Sequence, residues 1–164
     1  MAIILIGGGA RSGKSRHALD LARARGANLA FIATALRSDD DMAARIARHR
    51  ADRSAEFRTI EEPIEIAGAI RGANADAIVI DCLTLWLSNI MRAGRDLAAE
   101  TERVIAAADS PTVIFVTNEV GCGIHPETEL GRKFRDEAGI LNQRIGAAAH
   151  EIYWMVFGHP LRVK

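Results

Sequence analysis

Residues 8–15 read Gly8-Gly9-Ala10-Arg11-Ser12-Gly13-Lys14-Ser15, which is a glycine, four further residues, and then Gly-Lys-Ser. This is the P-loop spacing, in which glycines allow consecutive backbone N–H groups to point inward at phosphate oxygens. Lys14 is expected to reach the β- and γ-phosphates as a catalytic residue, and the Ser15 hydroxyl is expected to hold Mg²⁺. The pattern therefore predicts that all eight residues bind a nucleotide.

The segments on either side of this loop support the prediction. Residues 3–6 are a continuous apolar run rich in β-branched side chains, which predicts a buried strand. Residues 15–25 predict a helix that ends at Gly26, and its N-terminus adds positive potential for a phosphate. The alternatives are a glycine-rich turn without a ligand and a dinucleotide-binding loop. The second fails because its third glycine would fall at Ser12.

The rest of the chain alternates short apolar runs with longer periodic segments. Strands are predicted at residues 29–33, 57–60, 77–80, 112–117 and 152–157. Helices are predicted at residues 38–53, 64–70, 83–91, 97–108 and 130–151, and a terminal turn is predicted at His159-Pro160. Such alternation predicts an α/β fold with a mostly parallel sheet and helices on both faces. Because no stretch has linker composition or repeats another, residues 1–164 are expected to form one domain.

Composition limits the classes of function. The chain has 164 residues and a formal net charge of +0, which disfavours a broad nucleic-acid-binding surface. Aromatic residues make up 5% of the chain, too few for stacking platforms on single-stranded nucleic acid. The two cysteines, Cys82 and Cys122, cannot form a disulfide scaffold, and no apolar run reaches the roughly 20 residues that cross a bilayer. A cytoplasmic protein without a membrane span is therefore expected.

Asp81 directly follows the apolar run at residues 77–80, where P-loop proteins place an acid for Mg²⁺. A carboxylate at this position is expected to coordinate the ion directly or through water, together with Ser15. The alternative is that Asp81 caps the helix predicted from residue 83. The presence of the phosphate loop favours the metal role.

The helix predicted at residues 38–53 carries several arginines and His49. Helical spacing places Met42, Ile46, His49 and Arg53 on one stripe with Arg45 adjacent, so His49 lies at the edge of the packed face. Neighbouring guanidinium groups disfavour imidazolium, so a neutral, nucleophilic imidazole is expected. Its attack on an α-phosphate would give a phosphoramidate and release pyrophosphate. A solvated basic face with one incidental histidine is the alternative.

Several blocks of sequence, taken in order, resemble one enzyme family. The blocks are residues 8–18, 43–49, 57–63, 81–84, 116–121, 134–139 and 142–144. They resemble the bifunctional adenosylcobinamide kinases/adenosylcobinamide-phosphate guanylyltransferases of cobalamin biosynthesis. A P-loop alone is unspecific, but this set follows the family order over nearly the whole chain.

The resemblance implies two activities on a small corrinoid. One phosphorylates the hydroxyl of the aminopropanol arm of adenosylcobinamide with ATP or GTP. The other transfers GMP from GTP to adenosylcobinamide phosphate, which gives adenosylcobinamide-GDP through a guanylylated histidine. The implied fold is a P-loop NTPase core like that of RecA, commonly assembled as a homotrimer.

The resemblance also implies roles for individual residues. The guanylylated histidine corresponds to His49, and the nearby arginines Arg50 and Arg53 are expected to bind the nucleotide. Glu61 and Thr34 are implied to line the nucleotide site, and Asp81 matches the acid that ends the third core strand.

Two positions depart from the family pattern. His125 stands where relatives often have an apolar residue, in a loop that is a candidate for contact with the corrinoid. Cys122 and His125 suggest a metal site, but two ligands without a second pair disfavour one. The stretch between Met91 and Leu97 is shorter than in some relatives, which is expected to affect the sheet edge or subunit contacts.

Two other functions remain as alternatives from the sequence. A plain small-molecule kinase would use the phosphate loop and leave His49 inert. A nucleotide-dependent switch or regulatory ATPase would capture a protein partner and form no covalent intermediate. Neither accounts for the ordered blocks outside the phosphate loop.

Overall fold

The computed structural model describes residues 2–36, 55–109 and 111–164. In these ranges the elements follow the order β1 (Ala2–Gly8), α1 (Lys14–Arg23), β2 (Leu29–Ala33), β3 (Phe57–Glu61), α2 (Ile66–Gly72), β4 (Ala77–Asp81), α3 (Leu83–Arg92), α4 (Leu97–Ala107), β5 (Thr112–Val116), α5 (Glu129–Ala148), β6 (Glu151–Val156) and β7 (His159–Arg162). Every strand predicted from the sequence is present. The helix predicted at residues 38–53 lies outside the described residues.

The seven strands form one sheet in the order β3-β2-β4-β5-β1-β6-β7. The first six strands run parallel, and only β7 pairs antiparallel, with β6. Strands β1 and β5 are buried along their whole length, which is why their sequences are continuous apolar runs without polar alternation. The predicted α/β class and mostly parallel sheet are confirmed.

Strand β7 corrects the terminal turn predicted at His159-Pro160. Residues Phe157 and Gly158 form a two-residue hairpin turn with φ of 49° and 86°, and the chain then returns along β6. Proline disfavours a central strand because it lacks an N–H donor, but β7 is an edge strand where that donor is dispensable. Pro160 was therefore interpreted as part of a turn, although it lies in an edge strand.

Helices cover both faces of the sheet, as predicted, but unequally. Alternate residues of β1 point to opposite faces, so Ile4 and Ile6 join the core beneath α1, and Ile3 and Leu5 join the core beneath α2 to α5. Trp86 on α3 is fully buried in the core beneath α2 to α5 and donates its indole N–H to the Ile64 carbonyl at 2.8 Å. Counting only the helices of the described ranges, this division leaves α1 and the phosphate loop on the less covered face.

The register of the parallel strands brings their carboxyl ends to one edge. Ile6, Val116, Asp81, Ala33 and Glu61 occupy a single row across β1, β5, β4, β2 and β3. Ligands of open α/β sheets bind beyond this edge, where loops after the strands meet. The row therefore sets Asp81 two strands from β1, a separation of about 10 Å between strand axes.

A buried hydroxyl fixes the ends of β2 and β4 relative to each other. Thr34 is fully buried, and its Oγ1 donates to the Cys82 carbonyl and accepts from the Cys82 N–H, both at 2.8 Å. Asn89 on α3 donates to the Thr34 carbonyl at 2.8 Å and to the Pro63 carbonyl at 3.0 Å. These contacts hold the residue next to Asp81 in place.

We predict that Thr34→Val lowers the free energy of unfolding by about 1–3 kcal/mol, because the isosteric change leaves the buried Cys82 N–H without its acceptor and leaves the Cys82 carbonyl with the Trp86 N–H as its donor. Urea unfolding followed by circular dichroism measures the change. Thr34→Ser is the matched control, since it keeps the hydroxyl and loses only a methyl group. Equal losses in the two variants would contradict the assignment of stability to these hydrogen bonds.

Candidate nucleotide site

The phosphate loop turns sharply between β1 and α1, and two glycines make the turn possible. Gly13 has a φ of 92° and immediately precedes α1, a left-handed conformation that glycine adopts without steric cost. Gly8 lies against β6, because a Cβ placed on it would be 3.0 Å from Ser12 Oγ and 3.1 Å from Met155 Cβ. A larger residue at Gly8 would crowd Ser12 and Met155, whereas a larger residue at Gly13 would strain the backbone.

Lys14 lies inside the loop that it closes. Its side chain is buried, and its ammonium group donates to the Gly9 carbonyl and lies 3.4 Å from Ser12 Oγ. Burial lowers the pKa of Lys14, while the charge of Asp81 acts in the opposite direction. The loop therefore encloses a cation whose present partners are neutral oxygens, which a phosphate can replace with a stronger, charge-assisted contact.

Ser15 and Asp81 meet across the edge of the sheet. Ser15 Oγ, in the first turn of α1, donates to Asp81 Oδ2 at 2.7 Å, where β4 ends. Helix α3 begins at Leu83 with Cys82 as its N-terminal cap, so Asp81 does not cap this helix. A hydroxyl and a carboxylate in contact supply oxygen ligands of the kind that Mg²⁺ takes from proteins when phosphates and water complete its shell. The donor set fits that ion.

The segment after β5 carries two polar residues, Asn118 and Glu119, whose contacts were not predicted from the sequence. Asn118 donates to Thr84 Oγ1 from its backbone N–H at 2.9 Å and from Nδ2 at 3.2 Å. The N–H of Glu119 donates to the Gly8 carbonyl at 3.3 Å, which ties the segment after β5 to the start of the phosphate loop. The Glu119 carboxylate accepts from the Gly121 N–H at 2.5 Å. This carboxylate therefore stabilises the turn after β5.

The remaining predicted site residues are placed in three ways. Glu61 is exposed at the end of β3, in the same row as Asp81 and two strands from it. Thr34 is fully buried and its hydroxyl bonds to the backbone of Cys82, and its contact with the nucleotide stays a prediction. His49, Arg50 and Arg53, like Arg45, lie outside the described residues.

A groove of about 570 Å³ begins at the phosphate loop and runs along α1. Its lining residues come from the loop, from α1, from β2 and β4, and from the turn between β6 and β7: Arg11, Ser12, Gly13, Ser15, Arg16, Leu19, Arg23, Phe31, Asp81 and Gly158. Because Ser15 and Asp81 line it, the groove is continuous with the candidate metal position.

None of the helices in the described part of the chain is long and apolar enough to cross a membrane.

Structural comparison identifies the fold. The flagellar accessory protein FlaH of Methanocaldococcus jannaschii superposes with a TM-score of 0.55 at 13% identity, covering 99% of this chain and 78% of that one. The RadB recombinase superposes with a TM-score of 0.54 at 16% identity, covering 93% and 73%. At this level of identity the likeness establishes the P-loop NTPase fold but gives no information about the activity of this chain.

Sequence comparison is more specific. The chain is 42% identical to the bifunctional adenosylcobalamin biosynthesis protein CobP of Pseudomonas aeruginosa, covering 98% of this chain and 96% of the relative. It is 40% identical to the bifunctional adenosylcobalamin biosynthesis protein CobU of Salmonella typhimurium, covering 99% of both. The model of the family described as cobinamide kinase / cobinamide phosphate guanyltransferase matches residues 4–163. The chain therefore belongs to the cobinamide kinase / cobinamide phosphate guanyltransferase family.

Proposed function

We propose that this chain phosphorylates adenosylcobinamide with ATP or GTP, and that it transfers GMP from GTP to adenosylcobinamide phosphate to give adenosylcobinamide-GDP. The observation that carries the proposal is the contact of Ser15 with Asp81 beside the buried Lys14, in a chain matched by the family along residues 4–163. Residues 1–164 act as one kinase/guanylyltransferase domain, in the cytoplasm and as a homotrimer. The exposed apolar residues Phe157, Leu161 and Val163 on the β6–β7 hairpin support contact with another copy.

In the kinase step the chain acts by positioning and charge neutralisation. The loop N–H groups and Lys14 hold the triphosphate, and the acceptor hydroxyl attacks the γ-phosphorus while the P–O bond to the β-phosphate breaks. Ser15 and Asp81 would hold Mg²⁺, which when bound neutralises phosphate charge and fixes the geometry of the phosphates. Asp81 also supports the ammonium of Lys14 against the cost of burial.

In the transfer step His49 is the nucleophile. Its neutral imidazole nitrogen attacks the α-phosphorus of GTP, a P–N bond forms, and the P–O bond to pyrophosphate breaks. A phosphate oxygen of adenosylcobinamide phosphate then attacks the same phosphorus, and the P–N bond breaks to regenerate the imidazole. Arg50 and Arg53 bind the nucleotide beside it and stabilise the developing charge.

Two described residues complete the proposed nucleotide site. Glu61 shares the carboxyl-edge row with Asp81, which supports contact with the nucleotide. Thr34 contributes through its hydrogen bonds to Cys82. The loop around His125 is proposed to contact the corrinoid, and the exposure of Ile124, at 94%, supports an apolar contact there.

Asp81→Asn is expected to lower kcat/KM of both reactions roughly 100-fold or more and to raise the Mg²⁺ concentration for half-maximal rate, because a charged oxygen ligand is lost. Initial rates are measured over a Mg²⁺ titration. Asp109→Asn, at an exposed position after α4, is the matched control and leaves both quantities unchanged. Wild-type Mg²⁺ dependence in Asp81→Asn would exclude the metal role.

Wild-type protein incubated with GTP labelled on the α-phosphate is expected to retain acid-labile, alkali-stable label after denaturation, and His49→Asn is expected to retain none. GTP labelled on the γ-phosphate should leave no label on either protein, since pyrophosphate departs. The matched control is His159→Asn, on the exposed edge strand, which should label like wild type.

If the wild-type protein binds GTP but retains no label, the covalent histidine intermediate is refuted. The plain-kinase alternative would then explain the phosphate loop. Partner capture that depends on nucleotide, without turnover, would favour the regulatory switch.

A further inference from the structure

Three arginines, Arg11, Arg16 and Arg23, line the groove beside the phosphate loop, and they differ in how they are held. Arg23 is engaged, because its Nη1 lies 2.7 Å from Asp20 and its Nε lies 2.7 Å from Glu56. Arg11 and Arg16, by contrast, have no ion pair or side-chain hydrogen bond with any residue of the described ranges. Among the described residues, therefore, two guanidinium groups without a partner face a groove whose acidic lining residue is Asp81.

Arg16 is the better placed of the two for a ligand in this groove. It follows Ser15 on α1, and its Nη2 lies 3.7 Å from the point that a Cβ on Gly13 would occupy. Its guanidinium therefore folds back toward the end of the phosphate loop. Because successive helical residues are rotated by about 100°, Arg16 and Lys14 point to opposite sides of α1. Lys14 turns into the loop, whereas Arg16 lines the groove outside it.

We propose that Arg16 binds the phosphate group of adenosylcobinamide phosphate during guanylyl transfer. The inference rests on the proposed function, since it assigns one of that function's two acceptors to the groove. The two acceptors differ in the charge of the group that reacts. The kinase acceptor presents a neutral alcohol, whereas the transferase acceptor presents a phosphomonoester dianion. A guanidinium binds such a dianion through two parallel, charge-assisted hydrogen bonds.

The charges of the groove agree with this assignment. Arg23 is neutralised by its own carboxylate partners, which leaves Arg11 and Arg16 against Asp81. The guanidinium groups of Arg11 and Arg16, which no carboxylate of the described residues neutralises, favour a dianion over a neutral alcohol. Ser15 lines the same groove and belongs to the nucleotide site, so a phosphate held by Arg16 lies beside the nucleotide with which it reacts.

The test separates the two reactions in Arg16→Gln. We expect the KM for adenosylcobinamide phosphate in guanylyl transfer to rise roughly tenfold to hundredfold, the range of a lost charge-assisted contact. The KM for adenosylcobinamide in the kinase reaction and the Kd for GTP are expected to stay within about twofold of wild type. Arg16→Lys, which keeps the charge but not the paired geometry, is expected to lose less.

Arg92→Gln is the matched control, because Arg92 is exposed at the end of α3 and does not line the groove. Equal losses in both reactions, or a weakened Kd for GTP, would assign Arg16 to the nucleotide and overturn the proposal. An unchanged KM for the phosphorylated acceptor would also overturn it. If the wild-type protein itself catalyses no guanylyl transfer, the proposed function is refuted instead. The two failures are therefore distinguishable. Circular dichroism and thermal unfolding verify that each variant is folded.

Discussion

The 2.7 Å hydrogen bond between Ser15 and Asp81 is the contact on which the candidate site depends. It joins the helix after β1 to the end of β4, although β5 lies between these two strands. The contact can form only if β1, β5 and β4 keep the register that aligns Ile6, Val116 and Asp81. A shift of β4 by one residue relative to β1 would move Asp81 about 3.3 Å along its strand and break the contact.

The surrounding structure holds this register from two sides. On the side of β2, the hydroxyl of Thr34 satisfies both backbone groups of Cys82, and Asn89 anchors Thr34 in turn. On the side of β5, the N–H of Asn118 donates to Thr84, and the N–H of Glu119 donates to Gly8. Short polar side chains that bond to backbone therefore position the acid without occupying the space where phosphates bind.

The sheet was predictable because parallel strands buried on both faces leave apolar runs that are easy to recognise, such as residues 3–6 and 112–117. The phosphate loop was predictable because its function requires fixed spacing within eight residues. Contacts between Thr34 and Cys82 join residues 48 positions apart, and no local pattern encodes them. That Arg16 has no partner among the described residues could not be predicted either, since a basic residue early in a helix gives no indication of its partners.

A single phosphate loop can serve both proposed reactions if the groove that binds the acceptor distinguishes the two acceptor substrates. The groove contains Ser15 and Asp81 of the candidate nucleotide site, so on our proposal an acceptor in the groove would meet the same nucleotide in either reaction. Two unit charges 4 Å apart interact by about 4 kcal/mol near a protein surface, against about 1 kcal/mol in bulk water. An arginine in a partly enclosed groove therefore favours the dianion far more than a solvated arginine would. On the proposal that Arg16 binds the phosphorylated acceptor, the attraction of Arg16 and the repulsion of Asp81 would together set the preference for that acceptor.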